Sequence, residues 1–143
     1  MSKAYDFILN LNAVGGTNIN GALLKAIEIA KKVKKSYEID VKTEQMIVFL
    51  TDGQPTSGER SISKIKENLR KANSKSQIPI YGLAFGNGAD FNLVKDISDE
   101  SNGFAERIYE SGNSFEQLEN FYKRISGNSL TVLIITLCRI AQI

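Results

Sequence analysis

The chain has 143 residues, 42% apolar and 24% charged, enough for one domain with one core and ordinary for a soluble globular protein. Its net charge of +2 is too small to point to nucleic acid or to an anionic membrane surface. It has no histidine and one cysteine, Cys138, which excludes Ser–His and Cys–His catalytic pairs and an internal disulfide, and removes the commonest zinc ligand.

The opening residues Met1-Ser2-Lys3-Ala4-Tyr5-Asp6 hold no apolar signal core, which read literally predicts a cytosolic chain. Tyr5, Ile8, Leu9 and Asn12 have the spacing of a short amphipathic helix. The loop Gly15-Gly16-Thr17-Asn18-Ile19-Asn20 comes next. It leads into a helix whose inner face is Leu23, Ala26, Ile27 and Ala30, with Asn20 as its expected cap. Lys31, Lys32, Lys34 and Lys35 suit the negative end of that helix dipole. Such a run is ordinarily a solvated helix end, the alternative being a contact for a polyanion.

Residues 45–51 are a short continuous apolar run, as expected of a strand buried on both faces. The turn Thr51-Asp52-Gly53-Gln54-Pro55 follows. Ile62, Ile65, Leu69 and Ala72 then mark a second helix, with Ser61 as its expected cap. Residues 78–85 predict a second strand, closed by the loop Gly86-Asn87-Gly88-Ala89-Asp90. Leu93, Val94 and Ile97 predict a helix after Asp90, and residues 104–109 a weaker strand. Leu118, Phe121, Tyr122 and Ile125 mark a helix opened by Ser114, with Gln117 where a capping box needs it. The tail 130–137 is apolar and β-branched, strand-like, and a liability if its edge is exposed. Cys138 reads as a small apolar residue.

Strands alternating with helices predict an α/β fold: a Rossmann-like, mainly parallel sheet flanked by helices on both faces. No internal repeat, low-complexity linker or membrane-length apolar run occurs. In such sheets ligands bind beyond the carboxyl ends of the strands, where the loops at 15–20, 51–55 and 86–90 are expected to converge. The hydroxyl of Thr17 and the carboxylate of Asp52 are hard oxygen donors, suited to Mg²⁺ or Mn²⁺. The plainer alternative is that Asp52-Gly53 is a turn and Thr17 only ties down its loop. A phosphate site is less well supported. There is no Gly-x-x-x-x-Gly-Lys-Ser/Thr, and Gly86-Asn87-Gly88 lacks the third glycine of a dinucleotide fingerprint. Asp52 and Asp90 are in principle an acid–base pair, and nothing in the sequence places them at a working distance.

The loop at 15–20 with Ala22-Leu23-Leu24 resembles the threonine loop and following helix of a von Willebrand factor A-type domain. Residues 47–59, Ile-Val-Phe-Leu-Thr-Asp-Gly-Gln-Pro-Thr-Ser-Gly-Glu, resemble that fold's central strand and second metal-site loop. Residues 81–88 and 102–110 narrow the likeness to the inter-alpha-trypsin inhibitor heavy-chain branch. It runs from about residue 3 to about residue 127. The resemblance implies a noncatalytic adhesion domain built round a metal-ion-dependent site of three parts: an Asp-x-Ser-x-Ser motif, a threonine and an aspartate. Thr17 matches the threonine and Asp52 the aspartate, with Gly16, Asn18 and Gly53 on the ligand rim. The implied cofactor is Mg²⁺ or Mn²⁺, completed by an acidic group of a protein ligand or matrix component. The implied setting is extracellular, in hyaluronan-linked complexes.

No Asp-x-Ser-x-Ser precedes Thr17. The expectation is therefore a partial domain over 1–127 with weak or absent metal binding, and a divergent apolar tail over 128–143 that can add a strand. In the complete fold the first strand lies beside residues 46–50, so the tail, or another chain, is a candidate for that edge. The competing expectations are a nucleotide-binding or enzymatic Rossmann-like domain and a nonfunctional fragment.

Overall fold

A computed structural model describes residues 9–10, 15–36, 44–126 and 130–137. The helix expected over Tyr5–Asn12 falls almost wholly outside these, as does Cys138. The described elements are, in chain order, α1 (Ile19–Ser36), β1 (Glu44–Thr51), α2 (Ile62–Asn73), β2 (Ile80–Phe85), α3 (Phe91–Asp99), β3 (Ala105–Ile108), α4 (Ser114–Ser126) and β4 (Leu130–Leu137). The strands form one sheet of order β3-β2-β1-β4, and every pairing is parallel. Ile47 stands opposite Ile80 on one side of β1 and opposite Ile134 on the other. This is the predicted α/β class.

Side chains alternate along β1, and each set builds its own core. Ile47 and Phe49, with Ile80 and Ala84 of β2, face α1, α2 and α3, which contribute Ile19, Leu23, Ile27, Ile65, Leu69 and Leu93. Met46 and Val48, with Leu83 and Ile108, face α4 through Phe121 and Ile125. On this second face Phe104 meets Tyr81 and Phe121 edge to face, at centroid distances of 5.1 and 5.5 Å, and the Arg124 guanidinium covers its outer surface. Handedness explains the division. From β1 to β2 to β3 the chain steps one way across the sheet, so right-handed crossovers put α2 and α3 on one face. From β3 to β4 it steps back, so α4 lies on the other.

Two glycines set how closely these layers approach. A Cβ on Gly82 would strike Val94 Cγ1, and one on Gly103 would strike the Ile80 carbonyl. Pro79 delays the start of β2 to Ile80 because it has no N–H to give, yet its carbonyl still accepts from the Ile47 N–H at 2.9 Å. Before it, Asn73 is buried and exchanges two hydrogen bonds with the Ile78 backbone, closing the end of α2.

The caps differ from expectation by one or two residues. Asn18, not Asn20, opens α1, its Oδ1 accepting from the Gly21 N–H at 2.8 Å. Asn20 lies inside the helix and accepts instead from the Asn68 amide. Asn113, not Ser114, opens α4, accepting from the Glu116 N–H, while Gln117 exchanges hydrogen bonds with the Tyr109 backbone. Ser61 precedes α2 but makes no capping bond, its hydroxyl meeting that of Ser63 at 3.0 Å. At α1 and α4 two nearby capping residues compete, and the loop's tertiary anchorage selects between them. Ile62 and Tyr122, read as inward, are exposed.

Lys66 ties α2 to α3, reaching Asp96 at 2.8 Å and Glu100 at 2.9 Å. Hydrogen bonds to Asp96 and then Glu100 raise its pKa above the ordinary lysine value. Its contribution is therefore fully present below that value and is lost only as pH rises through the folded-state pKa. Lys31 donates to the Ala72 carbonyl and Lys32 pairs with Glu28, the arrangement of a solvated helix end.

Phe49 is fully buried in the larger core, and the buried Ser98 hydroxyl has no hydrogen-bond partner among the described residues. Phe49→Ala is expected to cost about 3–5 kcal/mol in urea unfolding. Ser98→Ala is expected to leave stability unchanged or raise it by about 1 kcal/mol, because it removes a desolvated group that gains nothing. A loss above about 1 kcal/mol for Ser98→Ala would show that the hydroxyl is paired after all.

Candidate functional site

At the carboxyl end of β1 the strand order reverses, with β2 on one side and β4 on the other, which is where open α/β sheets place their ligand sites. The residues that β1 delivers there are Thr51, Asp52 and Gly53. Thr51 is buried, and its hydroxyl accepts from the Gly53 N–H at 3.3 Å and donates to the Gly53 carbonyl at 3.2 Å. This local turn carries the half-buried Asp52 past the end of the strand.

The Thr17 loop is fastened to the segment after Asp52. The Thr17 N–H donates to Thr56 Oγ1 at 2.8 Å. The Thr17 carbonyl accepts from the N–H groups of Thr56, at 3.0 Å, and Ser57, at 3.3 Å. Thr17 is buried, 8% exposed, and the place a Cβ on Gly53 would take is 3.7 Å from its hydroxyl oxygen. The structure thus brings Thr17 and the Asp52-Gly53 turn together. Gly16 is required for the fit, since a Cβ there would lie 2.9 Å from Thr56 Oγ1. Asn18 carries a second task besides capping α1: its side chain fills the space over Gly58, which has a φ of 64°. A side chain at Gly58 would meet both a clash and a strained backbone.

The third loop also arrives. A Cβ on Gly88 would lie 2.9 Å from the Asp52 carbonyl oxygen, so the 86–90 loop rests against the Asp52 backbone. It is latched from β3. The Arg107 guanidinium donates to the Gly86 and Ala89 carbonyls and lies 5.1 Å from the centre of the Phe91 ring. The Gly86 N–H donates to the Ile108 carbonyl at 2.9 Å. Asp90 is committed elsewhere: its Oδ1 accepts from the Leu93 N–H at 3.1 Å as the cap of α3.

Thr17 and Asp52 supply hard oxygens, the right kind of donor for Mg²⁺, which takes six such ligands and tolerates retained waters. In number they fall short. Among the described residues no group of three or more His, Cys, Asp or Glu side chains is placed to hold a metal. The arrangement can present one carboxylate and one hydroxyl at a loop-walled rim, and it can contribute part of a cation's shell.

Thr56, Thr51 and Arg107 organise this rim and were not singled out individually from the sequence. Thr56 and Thr51 lie within the motif at 47–59, where their types carried a signal. Arg107 reaches another loop across 18 and 21 residues of chain, which no local pattern reveals.

Residues 2–124 match the von Willebrand factor type A domain family, and the chain belongs to it. Among curated proteins it is similar to inter-alpha-trypsin inhibitor heavy chain H1 of Mesocricetus auratus, 38% identical over 131 residues that make up 92% of this chain. It is 35% identical, over the same share, to inter-alpha-trypsin inhibitor heavy chain H3 of Rattus norvegicus, and 37% identical over 88% of the chain to heavy chain H1 of Homo sapiens. The chain spans only 14% to 15% of the length of these relatives. Among the described residues no helix is long and apolar enough to cross a membrane.

Thr56→Val keeps the shape of residue 56 but removes the acceptor for the Thr17 N–H. It is expected to cost about 1–3 kcal/mol and to speed hydrogen exchange at the Thr17 amide, whereas Thr56→Ser preserves both. Unchanged Thr17 exchange in Thr56→Val would mean that the hydroxyl does not hold the loop.

Proposed function

We propose that this chain is a noncatalytic protein- or matrix-binding module of an inter-alpha-trypsin inhibitor heavy-chain-like protein, working outside the cell in hyaluronan-linked complexes. Thr17 and Asp52 are its contribution to a divalent-cation adhesion site, with Gly16, Asn18 and Gly53 on the rim that meets the ligand. The observation that carries this reading is the backbone stitching of the Thr17 loop to the segment after Asp52, at the point where the strand order reverses. That stitching holds a hydroxyl loop and a carboxylate turn together without a covalent link.

A bound Mg²⁺ or Mn²⁺ would offer its remaining positions to a carboxylate of the partner. The chain's own residues hold the rim in shape and orient the two oxygens toward that partner. With one carboxylate and one hydroxyl, the 143 residues bind the cation weakly by themselves. Residues 1–127 form the family unit in this proposal, and 128–143 are an addition whose strand, β4, covers the free edge of β1.

Calorimetric titration of the chain with MgCl₂ is expected to show affinity no tighter than millimolar. Micromolar affinity that disappears in Asp52→Ala would overturn the partial-site reading. Thermal melts with ATP, NAD and Mg²⁺ separate the alternatives. Stabilisation by a nucleotide without cation would favour a nucleotide-binding domain, and the absence of a cooperative melt would favour a nonfunctional fragment.

A further inference from the structure

The 86–90 loop holds an Asn-Gly pair, and two more stand at 20–21 and 102–103. Such pairs share one chemistry. The glycine's backbone nitrogen, on losing its proton to solvent base, attacks the asparagine Cγ. A C–N bond forms and ammonia leaves, giving a five-membered succinimide. Water then adds to either ring carbonyl and reopens it as aspartate or isoaspartate. The net change consumes one water and releases one ammonia, with no oxidant or reductant. Glycine favours it because no Cβ hinders the attacking nitrogen or restricts the backbone.

The structure treats the three pairs differently. Asn20 and Gly21 lie in α1, where the Gly21 N–H donates to Asn18 Oδ1 at 2.8 Å and the Asn20 side chain accepts from the Asn68 amide. The Gly103 N–H donates to the Ser98 carbonyl at 2.9 Å, the Gly103 backbone is pressed against the Ile80 carbonyl, and Asn102 is held at a φ of 56°. Its nitrogen is engaged and its backbone has no room to turn. Asn87 and Gly88 are both exposed, between the buried Gly86 and Ala89. The loop is fastened at its ends, through the Gly86 N–H and the two carbonyls held by Arg107, so the tip is the part left to solvent.

We infer that Asn87 is a site of spontaneous modification, converting to aspartate or isoaspartate in the folded protein while Asn20 and Asn102 are protected. The consequence follows from position. Gly88 lies against the Asp52 carbonyl, so conversion of its neighbour Asn87 adds a carboxylate to the loop that rests on the Asp52 turn. This consequence rests on the adhesion-site reading, whereas the modification itself does not. With one more oxygen and a negative charge in place of a neutral amide, the rim binds Mg²⁺ more tightly after conversion.

The test incubates the full chain at neutral and at mildly alkaline pH and maps peptides by mass. The expected result is a gain of about one mass unit at Asn87, faster at higher pH, at a rate about tenfold or more above Asn102, as breaking a backbone hydrogen bond before attack would impose. In urea the rates at Asn20, Asn87 and Asn102 are expected to converge. Equal rates in the folded chain, or faster conversion at Asn102, would overturn the inference. A MgCl₂ titration of Asn87→Asp is expected to show affinity at least about threefold above the parent chain. Unchanged affinity alongside normal mass gain at Asn87 would overturn the cation-site consequence and leave the modification established.

Discussion

Strand β1 is enclosed on both faces and both edges, and the remaining architecture is arranged to satisfy that enclosure. Its backbone groups are paired with β2 on one side and β4 on the other. Ile47 and Phe49 are buried among three helices, while Met46 and Val48 are buried toward α4. A strand with no polar side needs neighbours in every direction, because each uncovered apolar side chain or unpaired amide costs free energy. The reversal of strand order at β1 follows from this, since pairs on both edges require the chain to step first one way and then back.

The site is a by-product of the same enclosure. Burial sets the end of β1 rigidly, and Thr51, itself buried, folds the chain so that Asp52 emerges at the reversal. The Thr17 loop is then held to the segment after that turn by hydrogen bonds to Thr56 and Ser57, and the 86–90 loop is held to β3 by Arg107. Most ion pairs lie elsewhere, between exposed residues three or four apart on one helix, such as Lys32 with Glu28 and Lys71 with Glu67, where screening leaves them little weight. The Asp52 carboxylate is carried at the rim by the turn that Thr51 forms.

Much of this was legible in the chain. Continuous apolar runs over 45–51 and 78–85 mark strands buried on both faces, and helical spacing of Leu23, Ala26, Ile27 and Ala30 marks the covering helix. These signals are local and strong, because burial selects residue type position by position. The family likeness was carried by ordered motifs, of which the segment around Asp52 is the most specific. Caps were less legible. Asn18 and Asn20 are equally able to open α1, and the choice fell to Asn18 because its side chain also fills the space over Gly58. Ile62 and Tyr122 have the periodicity of a buried stripe but lie at its margin, which periodicity alone does not resolve.

The sequence by itself determined the class of fold, the places where strands end in turns, and the chemical types at the candidate site, a hydroxyl at Thr17 and a carboxylate at Asp52. Those properties depend on residue type and short-range spacing. Tertiary structure decided which loops meet and what holds them: Thr56 across 39 residues to Thr17, Arg107 across the 86–90 loop, Gly88 against Asp52, and β4 along β1. Contacts between segments distant in the chain leave no local signature, because each partner is an ordinary residue until the fold brings the other to it.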